Sequence, residues 1–178
     1  MSHPFGIGGS KVHDDKFEGY VDHVTFGAWK REIFVDVGFF DERLKLNEDD
    51  EFHYRAKSLG KKIYLNPEIK LWYCPRRSIS EFFKQYFQYG LYKPLVLKKV
   101  KSGFKLRHIM PSLFVIYVLS IPLSLFNLIW MIPLFLYMAI VVVILLKAKI
   151  KIPFMLIILF PVIHIAYGSG FISGIFHK

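Results

Sequence analysis

No acidic residue follows Glu81 in this chain. All fourteen Asp and Glu lie before Tyr92, where fourteen Lys and Arg balance them; the other ten Lys and Arg lie from Lys93 onward. The net charge of +10 therefore belongs wholly to the second half. An acid-free half argues against a small transporter or channel, because no carboxylate is present there to line a polar path. Cysteine is almost absent too. Cys74 stands alone, which excludes an intrachain disulfide and a multi-cysteine metal site and agrees with a reducing compartment. After Met1 the chain runs through His3, Pro4 and Gly6, with no basic-then-apolar stretch. It does not read as a secretory signal peptide, so insertion is expected to rely on later segments.

What the second half has in abundance is apolar length. Ile109 to Leu146 runs without a charged side chain. A span needs roughly 20 apolar residues, so this run is too long for one helix and fits two. Asn127 falls near its midpoint, where a tight turn is expected. Lys147, Lys149 and Lys151 interrupt, and Ile152–Phe176 forms a third apolar stretch with His164 as its one strongly polar ring. The predicted spans are 109–126, 128–146 and 152–176. A uniformly basic surface would point to nucleic acid. Basic clusters beside apolar runs point instead to anionic headgroups and topology signals, so a lipid bilayer is the expected partner and nucleic acid is not. Lys93, Lys98, Lys99, Lys101, Lys105 and Arg107 precede the first span, and the 147–151 loop follows the second. Two crossings put both clusters on one side, which the charge rule makes cytoplasmic. The expectation is a multi-pass protein of the inner (plasma) membrane. Pro111, Pro122, Pro133, Pro153 and Pro161 lie in or near the spans, where neighbouring groups can satisfy freed carbonyls. Gly168, Gly170 and Gly174 make a small-residue face suited to close helix packing. His164 has no intramembrane acid to pair with, and reads as a packing or interfacial residue.

The first half divides into 1–92, followed by a basic juxtamembrane segment 93–108 and the membrane region 109–178. Met1–Val24 is Gly-rich and polar and reads as loop; Gly6, Gly8 and Gly9 lack the preceding strand of a dinucleotide cradle. Ala28–Val37 is predicted helical, with Gly38 as its stop. Asn47-Glu48-Asp49-Asp50-Glu51 opens a second helix, predicted to reach Leu59, with Asn47 as N-cap and acids filling the first turn. At 100° per residue, Glu48 and Asp49 fall roughly 50° either side of the Phe52–Ala56–Leu59 stripe, while Asp50 and Glu51 point away. Either of the first two could serve as general base or metal ligand; all four could simply complement the helix dipole. Periodicity does not choose. An EF-hand is excluded by spacing. Lys62–Leu65 and Ile69–Tyr73 read as short strands around an Asn66-Pro67 turn. Ser78 and Glu81 have capping-box spacing and start a helix rich in Phe and Tyr, interfacial over about 79–92.

In this order the residues resemble a family. Gly27-Ala28-Trp29-Lys30-Arg31-Glu32-Ile33-Phe34, Val37-Gly38-Phe39-Phe40-Asp41-Glu42 and Asn47-Glu48-Asp49-Asp50-Glu51 resemble membrane-associated family 2 glycosyltransferases. So do Pro75-Arg76-Arg77-Ser78, Gln85-Tyr86-Phe87-Gln88-Tyr89-Gly90 and His164-Ile165-Ala166-Tyr167-Gly168-Ser169-Gly170. The likeness is to bacterial exopolysaccharide enzymes of the succinoglycan-synthesis type. It implies an α+β fold, the acceptor-side half of a GT-A domain, followed by an all-α membrane region of about three helices. It also implies inverting transfer from a nucleotide-sugar to a glycan or lipid-linked acceptor, with a divalent metal (Mg or Mn) on the donor diphosphate. Asp49 is then the general base, with Glu48 orienting the acceptor. Gly27, Ala28, Arg31, Arg76, Arg77, Gln85, Gln88 and Tyr89 are the implied substrate contacts. Where the family has Gln-x-x-Arg-Trp, this chain has Gln88 and Tyr89 in place of Arg and Trp, which removes a cation; Arg76 and Arg77 are the candidates to compensate.

The nucleotide-binding half and its Asp-x-Asp metal motif are not found in the sequence, since Asp14-Asp15 lacks both spacing and a preceding strand. The expectation is therefore a chain with no metal site of its own, inactive alone. An alternative is a non-catalytic membrane subunit or anchor that binds a separate nucleotide-binding chain through residues 1–92.

Overall fold

In a computed structural model of the chain, the residues described are 11–14, 16–72, 74, 76–100, 105–147 and 153–177. Readings that involve 1–10, Asp15, Tyr73, Pro75, 101–104, 148–152 and Lys178 lie outside these, as do the side chains of His13, Pro153 and Phe154. The described residues are mostly helical, with one two-stranded sheet and three candidate membrane helices. The chain divides into two compact units: Met1–Arg76 with Tyr92–Phe104, and Arg77–Leu91 with Lys105–Lys178.

In the first unit, β1 (Gly19–Val21) pairs antiparallel with β2 (Ile63–Leu65), in the register Gly19↔Leu65, Tyr20↔Tyr64 and Val21↔Ile63. Tyr20 and Tyr64 meet edge to face across the strands at 5.4 Å, the kind of cross-strand pair that fixes register. The sequence reading took the β1 region for loop. Its three residues find their partner more than forty positions away, so no local alternation marks them. Ile69–Trp72 is not a strand, contrary to expectation.

Two helices form the core of this unit. The first, α1 (Ile33–Val37), is shorter than predicted, and Gly38 ends it with φ +83°, a left-handed backbone that favours glycine. The second, α2 (Glu48–Ser58), has nearly its predicted bounds. Phe52 and Ala56 are buried against Val37, with Trp29, Ile33 and Phe34 packed around them. Trp29 lies edge-on to Phe52 at 4.9 Å, and Phe40 meets the same ring at 4.8 Å. Burying Phe52 contributes roughly 2–3 kcal/mol. Leu59 does not join this stripe; it is exposed beyond the helix end.

A long helix follows, α3 (Ile79–Lys99). Ser78 Oγ accepts from the Glu81 amide at 3.2 Å, and Glu81 reaches back to the Arg77 amide at 3.4 Å. This is the expected capping pattern, displaced by one residue on its return arm.

The second unit contains α4 (Met110–Ser120), α5 (Ile132–Lys147) and α6 (Pro153–Phe176), besides the start of α3. Helical turns extend the first two of these, so that Leu106–Leu125, Leu128–Lys147 and Met155–Phe176 are each long and apolar enough to cross a membrane. Asn127 makes the turn between the first two, its side chain accepting from the Ile129 amide at 3.0 Å. The Tyr117 hydroxyl donates to the Trp130 carbonyl at 2.9 Å and Trp130 Nε1 donates to Ser120 Oγ at 3.0 Å, closing the hairpin. Pro111, Pro122, Pro133 and Pro153 all sit at helix starts, where a missing N–H costs nothing. Only Pro161 lies inside α6.

Glycine sets the helix spacing here. A Cβ at Gly168 would overlap the Pro111 carbonyl, and one at Gly170 would overlap the carbonyl of Phe87 on α3. Gly90 on α3 meets the Tyr167 carbonyl in the same way. Backbones in such contact gain dispersion that larger residues would forbid. His164 pairs with a phenol: Tyr137 Oη lies 2.7 Å from its Nδ1, and Phe114 packs against both rings.

Candidate functional site

The acidic turn at the start of α2 is the centre of charge in the first unit. Asn47 precedes it with φ +63°, a conformation Asn tolerates better than most residues, and its side chain makes no capping bond. Asp49 Oδ1 instead accepts from the following amide, that of Asp50, at 2.7 Å.

The four acids divide by their partners, not as periodicity implied. Glu51, expected to point away, is completely buried, and Asp50 is largely so. Arg55, one turn on, donates to Glu51 through Nε at 2.7 Å and Nη2 at 2.9 Å, and Lys99 reaches the same carboxylate at 2.8 Å. The Arg55 guanidinium also donates to the carbonyls of Val37 and Phe39, tying the end of α1 to α2. Lys99 bridges on to Asp41 at 2.8 Å. Asp41 is held well below the usual carboxylate range, first by its bond with Arg43 and then by Lys99. Asp50 pairs with Lys93. Burial alone would raise the pKa of Asp50 and of Glu51, but their cation partners outweigh it and both are lowered.

Glu48 and Asp49 remain. Both are half-buried, and among the described residues neither makes an ion pair. The turn thus holds two carboxylates paired with cations and, side by side with them, two that have no cation partner among the described residues.

Lys93 and Lys99 belong to the basic cluster read from the sequence, and both make ion pairs within the first unit. Lys93 is buried, its ammonium on Asp50 and 5.6 Å from the Tyr54 ring centre. Glu51 with Arg55 is an i,i+4 pair that sequence could have flagged. Nothing local marks Lys93 or Lys99, which are about 40 residues or more from their partners.

His53 was also missed. It is buried one turn beyond Asp49, its ring tilted against that of Trp29 at 5.1 Å between centroids, and among the described residues neither ring nitrogen has a hydrogen-bond partner. Burial depresses its pKa, against the pull of Asp49 and Asp50.

The other predicted contacts are dispersed. A Cβ added at Gly27 would come within 3.0 Å of the Val24 and Trp29 side chains; Ala28 and Arg31 are exposed nearby. Arg76 is exposed in the first unit. Arg77, Gln85, Gln88 and Tyr89 belong to the second, where Gln85 Nε2 donates to Tyr89 Oη at 2.9 Å. For the metal that the resemblance implies, no cluster of three or more His, Cys, Asp or Glu suited to one occurs among the described residues. These residues do not fit a metal site.

Over 115 residues, 64% of its length, the chain is 30% identical to the dolichyl N-acetyl-α-D-glucosaminyl phosphate 3-β-D-2,3-diacetamido-2,3-dideoxy-β-D-glucuronosyltransferase of Methanococcus voltae. The chain is glycosyltransferase-like. With its three apolar helices it is a glycosyltransferase-like membrane protein, and it spans about a third of the length of the curated relative it matches. No family model matches the chain, and no solved structure does.

Proposed function

We propose that this chain carries the acceptor-side half of a GT-A domain and the membrane region of an inverting family 2 glycosyltransferase. In this reading a sugar passes from a nucleotide donor to a lipid-linked or polysaccharide acceptor, in exopolysaccharide or cell-surface glycan synthesis. The soluble unit faces the cytoplasm. The name of the Methanococcus voltae relative describes transfer to a dolichyl-phosphate-linked sugar, which favours a lipid-phosphate-linked acceptor here.

One observation carries the reading: of four acids in the first turn of α2, two are paired with the cations Lys93, Arg55 and Lys99, and among the described residues the other two have no cation partner. Asp50 and Glu51 are spent on holding the turn. Asp49 is the general base, taking the proton from the acceptor hydroxyl as that oxygen attacks the anomeric carbon. The bond to the donor diphosphate breaks as the new glycosidic bond forms, in a single displacement that inverts the centre and requires no enzyme nucleophile. Glu48 beside it orients the acceptor. Arg31, Arg76, Arg77, Gln85, Gln88 and Tyr89 are assigned to substrate, and the divalent metal to a nucleotide-binding half outside these residues.

Sugar-nucleotide turnover tests this. The chain alone is expected to transfer nothing; combined with a nucleotide-binding half, it is expected to transfer sugar. Asp49→Asn should then reduce kcat by about 100-fold or more while the chain still folds. An undiminished rate would remove Asp49 from the mechanism. Robust transfer by the isolated chain would refute its dependence on a second half.

A further inference from the structure

We propose that Lys93 is a positioning residue for Asp49, acting through Asp50; this rests on the reading of Asp49 as base. The connection is short and continuous. Lys93, buried on α3, holds the Asp50 carboxylate. The Asp50 amide donates to Asp49 Oδ1 at 2.7 Å. Fixing the Asp50 side chain therefore fixes the peptide group that orients the Asp49 carboxylate.

The next residue is held as firmly from another direction. Glu51 is buried between Arg55 and Lys99, so the turn carrying Asp49 is pinned by consecutive side chains. Lys93 and Lys99 come from the same segment of α3, six positions apart, and both reach α2. A base must be held close to its productive geometry, and a displacement of about 1 Å can cost 100-fold in rate. A turn carrying four adjacent acids would otherwise be pushed apart by their mutual repulsion. Cations from α3 remove that repulsion without touching Glu48 or Asp49. The buried ammonium on Asp50 leaves Lys93 no role as a substrate contact.

The experiment uses the full chain in lipid nanodiscs and compares Lys93→Met, Lys93→Arg and Asp50→Asn with the parent. Backbone amide exchange at residues 48–51 needs no activity. Lys93→Met is expected to speed it about tenfold, while Phe52–Ala56 stays protected by the core. Lys93→Arg, which keeps the charge, should restore most of the protection. In the preparation that transfers sugar, Lys93→Met should lower kcat about 10–100-fold with KM unchanged. Unchanged exchange at 48–51 in Lys93→Met overturns the proposal. So does a raised KM with kcat intact, which would make Lys93 a substrate contact. If Asp49→Asn keeps full activity while Lys93→Met still loosens the turn, the functional reading has failed and the clamp has not.

Discussion

Replacing Arg55 by Met tests the buried network most directly. Glu51 is wholly shielded from solvent, and Arg55 supplies two of its three short contacts, at 2.7 and 2.9 Å. Removing one partner of a buried pair costs about 3–5 kcal/mol, because a charge is left without compensation. Lys99 stays 2.8 Å away, which places Arg55→Met at the lower end, about 3 kcal/mol. The carbonyls of Val37 and Phe39 also lose their donor, so the end of α1 should loosen together with α2. Urea unfolding of the full chain in detergent is a suitable assay. Trp29 reports it, since that ring packs on Phe52, provided Trp72 and Trp130 are replaced by Phe. With a slope of about 1–3 kcal/mol per molar urea, the midpoint should fall by about 1–3 M. The double variant Glu51→Leu/Arg55→Met removes both charges and should recover most of the loss. The Glu51 pKa is lowered in the fold, so its contribution is complete above the unfolded value near 4.3 and fades as pH falls through the lower, folded one. The difference between parent and Arg55→Met should shrink accordingly in acid. A double variant as unstable as the single would refute this account.

Further outcomes follow from other contacts. His53 is held neutral by burial, so below pH 6.5 the unfolded chain binds a proton that the folded one refuses; stability should fall by up to about 1.4 kcal/mol per pH unit until the depressed folded value is reached. His53→Phe should flatten that slope in urea midpoints compared between pH 7.5 and 5.5; an unaltered slope would assign it to other groups. Gly170→Ala forces a methyl into the Phe87 carbonyl, and the thermal midpoint should drop by the equivalent of about 1–3 kcal/mol, whereas Ser173→Ala, on the exposed side of α6, should leave it unmoved. Tyr137→Phe removes the hydroxyl beside His164 and should cost only about 0.6 kcal/mol in the same assay, because the rings still stack.

What the sequence determined by itself is whatever depends on neighbours along the chain. Apolar length marked all three candidate spans and Asn127 as the turn between two of them, because a helix satisfies its own backbone and requires only enough apolar residues to match a hydrocarbon layer. Capping chemistry marked the start of α3, the acidic run marked that of α2, and Gly38 marked the stop of α1. The tertiary structure decided everything that depends on distant partners. It paired β1 with β2, turned Glu51 inward and brought Lys93 and Lys99 onto Asp50 and Glu51. A helical wheel assigns an acid to the surface because burying a charge is costly; two cations arriving from α3 reverse that balance, and no local pattern announces them. The same long-range pairing is what separates Glu48 and Asp49 from the two acids beside them.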